Sequence, residues 1–283
     1  MAQDYPSAWK NIEQLQQKGQ YRSALEATSR LYQSAQNEGK TDESLKALFY
    51  RAAFTQELEE NGSEAAIELL KTELAASSKP LFQAVVHHAL GRAYLSYAEQ
   101  TAYKEQTATE ILDPTLPLAE WPLLLTIRTG SQHLLTGLEL AASLKTPLEA
   151  IPAIVSPGEN LSLVLPTLYD LLVHNSLKLL NQGYAYLPEP TFVFRPEPKL
   201  LLLEPTAFVN QTFSAQDTSG LQYRSLLVYQ QLLGQHPEPT NSAYVYANLE
   251  RLAWAYAQGA SVEDYAAALT RLFSLAKKLL TPV

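Results

Sequence analysis

The sequence predicts an all-α fold, a tetratricopeptide-like α-α superhelical array of about ten helices with one proline-rich extended arm. Three observations carry that prediction. Apolar residues recur at three- and four-residue spacing through most of the 283 residues. Glycine is scarce, 11 against 17 prolines, and the prolines are clustered. The stretch Leu165–Gly183, LPTLYDLLVHNSLKLLNQG, reads as a helix marked at both ends and apolar almost all round.

The chain reads as a single helical domain, 1–283, in four stretches. Residues 1–112 are helical hairpins, 113–183 a middle holding the central helix 167–181, 184–213 an arm, and 214–283 the C-terminal helices. Trp9, Ile12 and Leu15 mark one face of the first helix. Gly19-Gln20-Tyr21 turns the chain, and Ala24, Leu25, Leu31 and Tyr32 continue into a second helix that ends near Gly39. Gly19, Tyr21 and Ala24 have tetratricopeptide spacing: a tight turn, a ring between helices, and a small residue where helices touch. Thr41 or Asp42 caps the third helix, with Leu45, Leu48, Phe49, Ala52 and Ala53 turned inward. Asn61-Gly62-Ser63 breaks it, and Ser63–Ala76 follows. Gly62 comes 43 residues after Gly19, against about 34 in a standard unit, so the repeat is degenerate. Pro80 opens a fifth helix running to about Thr101, with Leu90-Gly91-Arg92-Ala93-Tyr94 again like the first helix of a unit.

Asp113–Pro117 is a loop, Trp121–Leu144 a helix, and Lys145–Leu161 an irregular crossing. In the central helix Thr167 is the N-cap and Asp170 completes a capping box. Thr167, Asp170, His174 and Lys178 form its polar stripe. Burying its aliphatic side chains gives roughly 10–20 kcal/mol gross. Ordering its backbone costs about as much, so neighbours must wrap it. Between Tyr184 and Phe213, Pro188, Pro190, Pro196, Pro198 and Pro205 forbid a continuous helix. The segment reads as an extended arm that docks its Phe side chains on the helices. Helices resume at Leu221–Leu233, Asn241–Gln258 and Ser261–Leu280, the last with Ser261 and Asp264 as a capping box.

Hydrophobic residues make up 46% and charged residues 18%, a globular balance. A net charge of −8 without basic runs argues against nucleic acid or an anionic membrane as partner. The absence of Cys removes disulfides, thiolate nucleophiles and Cys-ligated metal sites. No apolar run approaches the roughly 18 residues of a spanning helix. Met1–Gln20 has no apolar signal region, whereas Ala2-Gln3-Asp4 resembles the start of a mature secreted chain. Stopping at Thr281-Pro282-Val283, just past a helix, the chain reads as a fragment of something longer.

No catalytic, cofactor-binding or metal-ligating residue is predicted. His87 and His88 diverge by about 100° on a helix, which gives one buried and one exposed ring rather than a metal site. His174 has Asp170 one turn earlier, the spacing of a structural hydrogen bond or ion pair. His133 and His236 have no neighbours that suggest a site. Glu57, Glu59 and Glu60 read as a solvated helix end. Asn61, Asn160 and Asn210 each begin an Asn-x-Ser/Thr triplet of the kind that arises by chance. No nucleophile elbow, phosphate loop, dinucleotide fingerprint or His-Glu-x-x-His occurs. The 16 tyrosines are expected mostly to fill seams between helices, with a peptide or sugar groove as the alternative place for some of them.

Three stretches carry a resemblance. They are Tyr5-Pro6-Ser7-Ala8-Trp9-Lys10-Asn11-Ile12 with Lys18-Gly19 and Ser23-Ala24-Leu25; Pro166-Thr167-Leu168-Tyr169-Asp170-Leu171-Leu172-Val173-His174; and Leu221-Gln222-Tyr223-Arg224-Ser225-Leu226 with Tyr229-Gln230 and Leu232-Leu233. In this order they resemble the N-terminal helical region of bacterial alpha-2-macroglobulin-like proteins, the large secreted forms of Bacteroidetes. The resemblance implies a periplasmic or cell-surface helical leader ahead of macroglobulin β-domains. Full-length members are thought to trap proteinases by cleavage of a bait region, some with a Cys–Gln thioester. Neither element lies in this chain, so no functional residue carries over. The implied role is a scaffold without cofactor, whose partner is another protein or the rest of its own longer chain. A tetratricopeptide-like module binding a peptide or glycan is the alternative, and an enzyme ranks last.

Overall fold

The computed structural model describes residues 3–102, 112–155, 158, 161–182, 194–218, 220–239 and 241–280. It is all-helical: thirteen α-helices and no strand among the described residues. They group in two compact units, 1–156 and 157–283.

The first unit holds α1 (Tyr5–Gln17), α2 (Tyr21–Asn37), α3 (Thr41–Leu58), α4 (Gly62–Ala76), α5 (Pro80–Thr101) and α6 (Leu123–Leu144). Each packs on the next; three-residue connections join the helices from α1 to α5, and residues 102–122 separate α5 from α6. The turn at Gly19 has φ +68° and closes α1 with Gln20 N donating to Leu15 O at 2.9 Å and Gly19 N to Gln16 O at 2.9 Å. Gly39 repeats the device after α2 at φ +70°. Ala24 is fully buried, and the Tyr21 ring lies 6.1 Å from that of Phe54. The expected small-residue contact and inter-helix ring are therefore both present.

Aromatic residues fill the seams and hand their polar ends to glutamates of other helices. Trp9 donates to Glu43 at 2.7 Å, Tyr32 to Glu73 at 2.5 Å and Tyr97 to Glu64 at 2.8 Å. Two local expectations fail in α3. Lys40 is its N-cap residue and no side chain caps it, because the helix already begins at Thr41. Ala53 is exposed, while Ala47 and Phe54 are buried in its place.

The two longest helices, α5 and α6, meet along a glycine seam. A Cβ on Gly137 would stand 2.9 Å from Ala84 O, and one on Gly130 would stand 3.0 Å from Tyr94 Cβ. One on Gly91 would stand 2.6 Å from the Leu134 side chain. Here glycine is used for close approach of backbones, not for a turn.

The second unit holds α7 (Leu161–Val164), α8 (Leu168–Leu180), α9 (Pro198–Leu201), α10 (Pro205–Asn210), α11 (Leu221–Gln235), α12 (Ser242–Ala257) and α13 (Val262–Leu280). The capping box of α8 is formed: Asp170 N donates to Thr167 Oγ1 at 3.3 Å, and Thr167 N to Asp170 Oδ2 at 3.0 Å. Leu168, Tyr169, Leu172, Val173, Leu177 and Leu180 are buried. So are Asp170 and His174 of the polar stripe, which leaves Lys178 as the exposed residue of the helix. The helix is sheathed, with α11 packed against it.

The arm is more helical than its prolines suggested. Pro198 and Pro205 stand at the first positions of α9 and α10, where a missing N–H costs nothing. Phe208 is fully buried, with Phe213 at 6.1 Å, and Phe194 packs edge-on against Tyr223 at 5.1 Å. The rest of the arm, 184–193, and the Gly183 stop lie outside the described residues.

Candidate functional site

In the second unit two histidine–carboxylate pairs fasten α8 to its neighbours. Asp170, 1% exposed, receives His236 Nε2 at 2.6 Å on Oδ1 and Thr167 Oγ1 at 2.6 Å on Oδ2. His236 follows α11 directly, so this pair ties the start of α8 to the end of α11. One turn on, His174 Nδ1 meets Glu250 Oε2 of α12 at 2.5 Å, and its ring lies 4.7 Å from that of Tyr246. Burial pushes the Asp170 carboxyl up, but the hydrogen bonds from His236 and Thr167 outweigh it and hold it below the usual range. Burial likewise pushes Glu250 up, and the His174 hydrogen bond and charge bring it below its ordinary value. His174 and Asp170 therefore do not pair with each other as their spacing suggested. Each has a partner far along the chain, and His236 is part of a cluster after all.

Arg251 of α12 is a further buried charge. Its Nη1 donates to Leu201 O at 2.8 Å and Leu203 O at 3.0 Å, its Nε to Asn248 Oδ1 at 3.2 Å, and it lies 4.6 Å over the Phe208 ring. Carbonyls at the C-terminal end of a helix attract a cation, so Arg251 pins α9 and α10 to α12. Burial lowers its pKa to about 10. A cavity of about 20 Å³ beside it, bordered by Leu272 and Leu275 of α13, has room for about one water. A second, open cleft of about 550 Å³ lies between Phe194, Arg195, Glu197, Thr212 and Phe213. Neither is lined by His174 or Asp170.

In the first unit His87 of α5 and His133 of α6 face each other, Nδ1 to Nδ1 at 2.9 Å. The Tyr94 ring stacks on His133 at 5.7 Å and on Trp121 at 5.8 Å. Burial lowers the pKa of His133 to about 4, with the nearby His87 and Lys71 adding to it, and burial also lowers that of His87. With both rings neutral, one donates and the other accepts. His88 is buried as expected for one of the adjacent pair, with its Nε2 unpartnered, and burial followed by Arg92 lowers its pKa to about 4. His87 is half-buried rather than exposed, because His133 covers it. Glu57, Glu59 and Glu60 are exposed at the end of α3, as expected. Asn160 lies outside the described residues. Among those residues no group of three or more His, Asp or Glu side chains converges as a metal site.

The remaining feature is a surface. Leu249 and Tyr256 of α12 and Val262 and Phe273 of α13 are large apolar side chains left exposed. The Tyr256 ring stacks on Tyr265 at 4.8 Å and 20°, so the apolar face runs across the α12–α13 hairpin. Among the described residues no helix is long and apolar enough to cross a membrane. Comparison with protein-family models, curated proteins and solved structures finds no match.

Proposed function

We propose that this chain is a non-catalytic helical scaffold or interaction module of the bacterial cell envelope, corresponding to the N-terminal region of an alpha-2-macroglobulin-like proteinase-trapping inhibitor. The observation that carries the scaffold reading is where the buried polar side chains of the second unit go. Asp170, His174 and Arg251 each bind a different helix or its flanking backbone, so their chemistry is spent on joining elements. The macroglobulin part rests on the three ordered stretches. Their aromatic and aliphatic residues, among them Trp9, Ile12, Tyr169, Leu226 and Tyr229, are core residues of α1, α8 and α11. The test is the reading frame downstream of codon 283. Strand-rich macroglobulin domains with a bait segment are expected there, and a frame that continues into unrelated sequence or stops would refute the assignment.

A second reading, a tetratricopeptide-like peptide- or glycan-binding protein, is favoured by the exposed Tyr256 ring, backed by the half-buried Tyr265 ring stacked on it. Sugars and peptides dock on such aromatic shelves. Calorimetric titration with envelope oligosaccharides and peptides tests it. Binding lost in Tyr256→Ala would support it, and no heat with any ligand would remove it.

A further inference from the structure

We propose that His87 and His133 form a two-histidine site for a divalent transition metal, Cu(II) ahead of Ni(II) or Zn(II), that clamps α5 to α6. The adjacent His88 made a metal site look excluded by spacing, but the partner of His87 lies 46 positions on. The two Nδ1 atoms stand 2.9 Å apart on facing helices. Imidazole nitrogens bind such metals at about 2.0–2.1 Å, so two of them at right angles on one ion are about 2.9 Å apart, and at a tetrahedral angle about 3.4 Å. The observed separation matches the right angle, the tetragonal geometry of Cu(II) and Ni(II). Of the divalent first-row metals Cu(II) binds nitrogen ligands tightest. The ion lies off the line between the nitrogens, so each ring tips while both helices stay in place.

The state of the rings suits a ligand pair. Burial holds both pKa values below the ordinary 6.5, so at neutral pH neither ring carries a second proton. Without metal, one Nδ1 donates to the other. Moving that proton to Nε2 of the same ring leaves two Nδ1 lone pairs for the ion, with no net loss of a proton. Both Nε2 atoms are open to this. Among the described residues neither bonds to the protein, and neither is buried as the unpartnered Nε2 of His88 is. His87 and His133 are half-buried, so water reaches the ion and completes its shell. Lys71 of α4 is the cation near His133, and Glu68 holds it at 2.7 Å and offsets its charge. The glycine seam fixes the distance. On α6, Gly130 comes three residues before His133 and Gly137 four after, so the close approach of backbones brackets the pair. A Cβ on Gly137 would stand 3.4 Å from His87 Cβ. Tyr94 stacks on His133 and limits its swing. Both ligands thus sit on rigid elements, as a preorganised site requires.

Calorimetric titration of the untagged, EDTA-treated 283-residue chain with Cu(II) at pH 7 tests this. One equivalent should bind, and electron paramagnetic resonance should show a tetragonal centre coupled to two nitrogens. The melting temperature should rise with bound Cu(II), because the ion ties two helices together. His87→Gln and His133→Gln should each remove the two-nitrogen pattern and the rise in melting temperature, with the helical circular dichroism unchanged. Loss of a group that merely supports a ligand costs about 10–100-fold in metal affinity, and loss of a ligand should cost no less. His88→Leu should keep the site intact. A parent chain that takes up no Cu(II), or whose Cu(II) signal lacks the nitrogen pair, would overturn the proposal even if a glutamine variant failed to fold. So would binding that survives either glutamine variant. None of these outcomes bears on the macroglobulin assignment, whose test is the downstream reading frame.

Discussion

His88 shows what one misplaced polar group costs. It is 6% exposed on α5, and its Nε2 has no hydrogen-bond partner. Its folded pKa of about 4 lies below the ordinary 6.5. The unfolded chain therefore takes up a proton first as the pH falls, and stability drops between about pH 6.5 and pH 4. The loss reaches on the order of 3 kcal/mol at the acid end of that window. His133 adds a slope of the same sign, with its folded pKa also at about 4. His88→Leu keeps the volume, removes the orphaned nitrogen and removes one titrating group. Its melting temperature should match or exceed that of the parent at pH 7 and exceed it clearly at pH 5. Thermal melts at both values check this, and equal pH slopes for the two proteins would count against the assignment.

At the scale of elements, the α5–α6 pair depends on the absence of side chains. Gly137→Val would drive a Cβ to within 2.9 Å of the Ala84 carbonyl, a backbone atom that cannot rotate away. Overpacking of this kind costs about 1–3 kcal/mol. A melting temperature lower by about 3 °C or more is expected. A glycine on an exposed face would instead gain from the same change, so a stabilised variant would refute the seam. This contact was not legible in the sequence, where Gly91 reads as part of a repeat-like Leu-Gly-Arg-Ala-Tyr run and Gly130 and Gly137 as isolated glycines within a helix. What was legible was local. The Thr167–Asp170 cap, the Gly19 turn and the short spacing of core leucines are all written within four or five residues. The polar pairs escaped notice because His87 lies 46 positions from His133, Asp170 lies 66 from His236 and His174 lies 76 from Glu250. A spacing rule reaches one helical turn, so it offered His174 the nearest carboxylate, Asp170, when the fold supplied another.

At the scale of the whole molecule, two compact units mean two places where cooperativity can end. Leu172 is 5% exposed in α8, within the second unit, 157–283. Leu172→Asp would place a carboxylate among leucines with no partner, and an unpaired buried charge costs several kcal/mol. That is a large fraction of the roughly 5–15 kcal/mol that holds a domain together. Sequence reasoning alone, which treated this helix as the middle of everything, predicts loss of all cooperative unfolding. The division of the chain restricts the damage. Helices α7–α13 should lose their melting transition, while α1–α6, which contain the glycine seam and the longest helices, should keep theirs. Circular dichroism of the variant should therefore show more than half of the parental helix signal and one remaining cooperative melt. Complete loss of helix would mean that the first unit cannot stand without the second, and an unchanged melt would mean that Leu172 is not in the core.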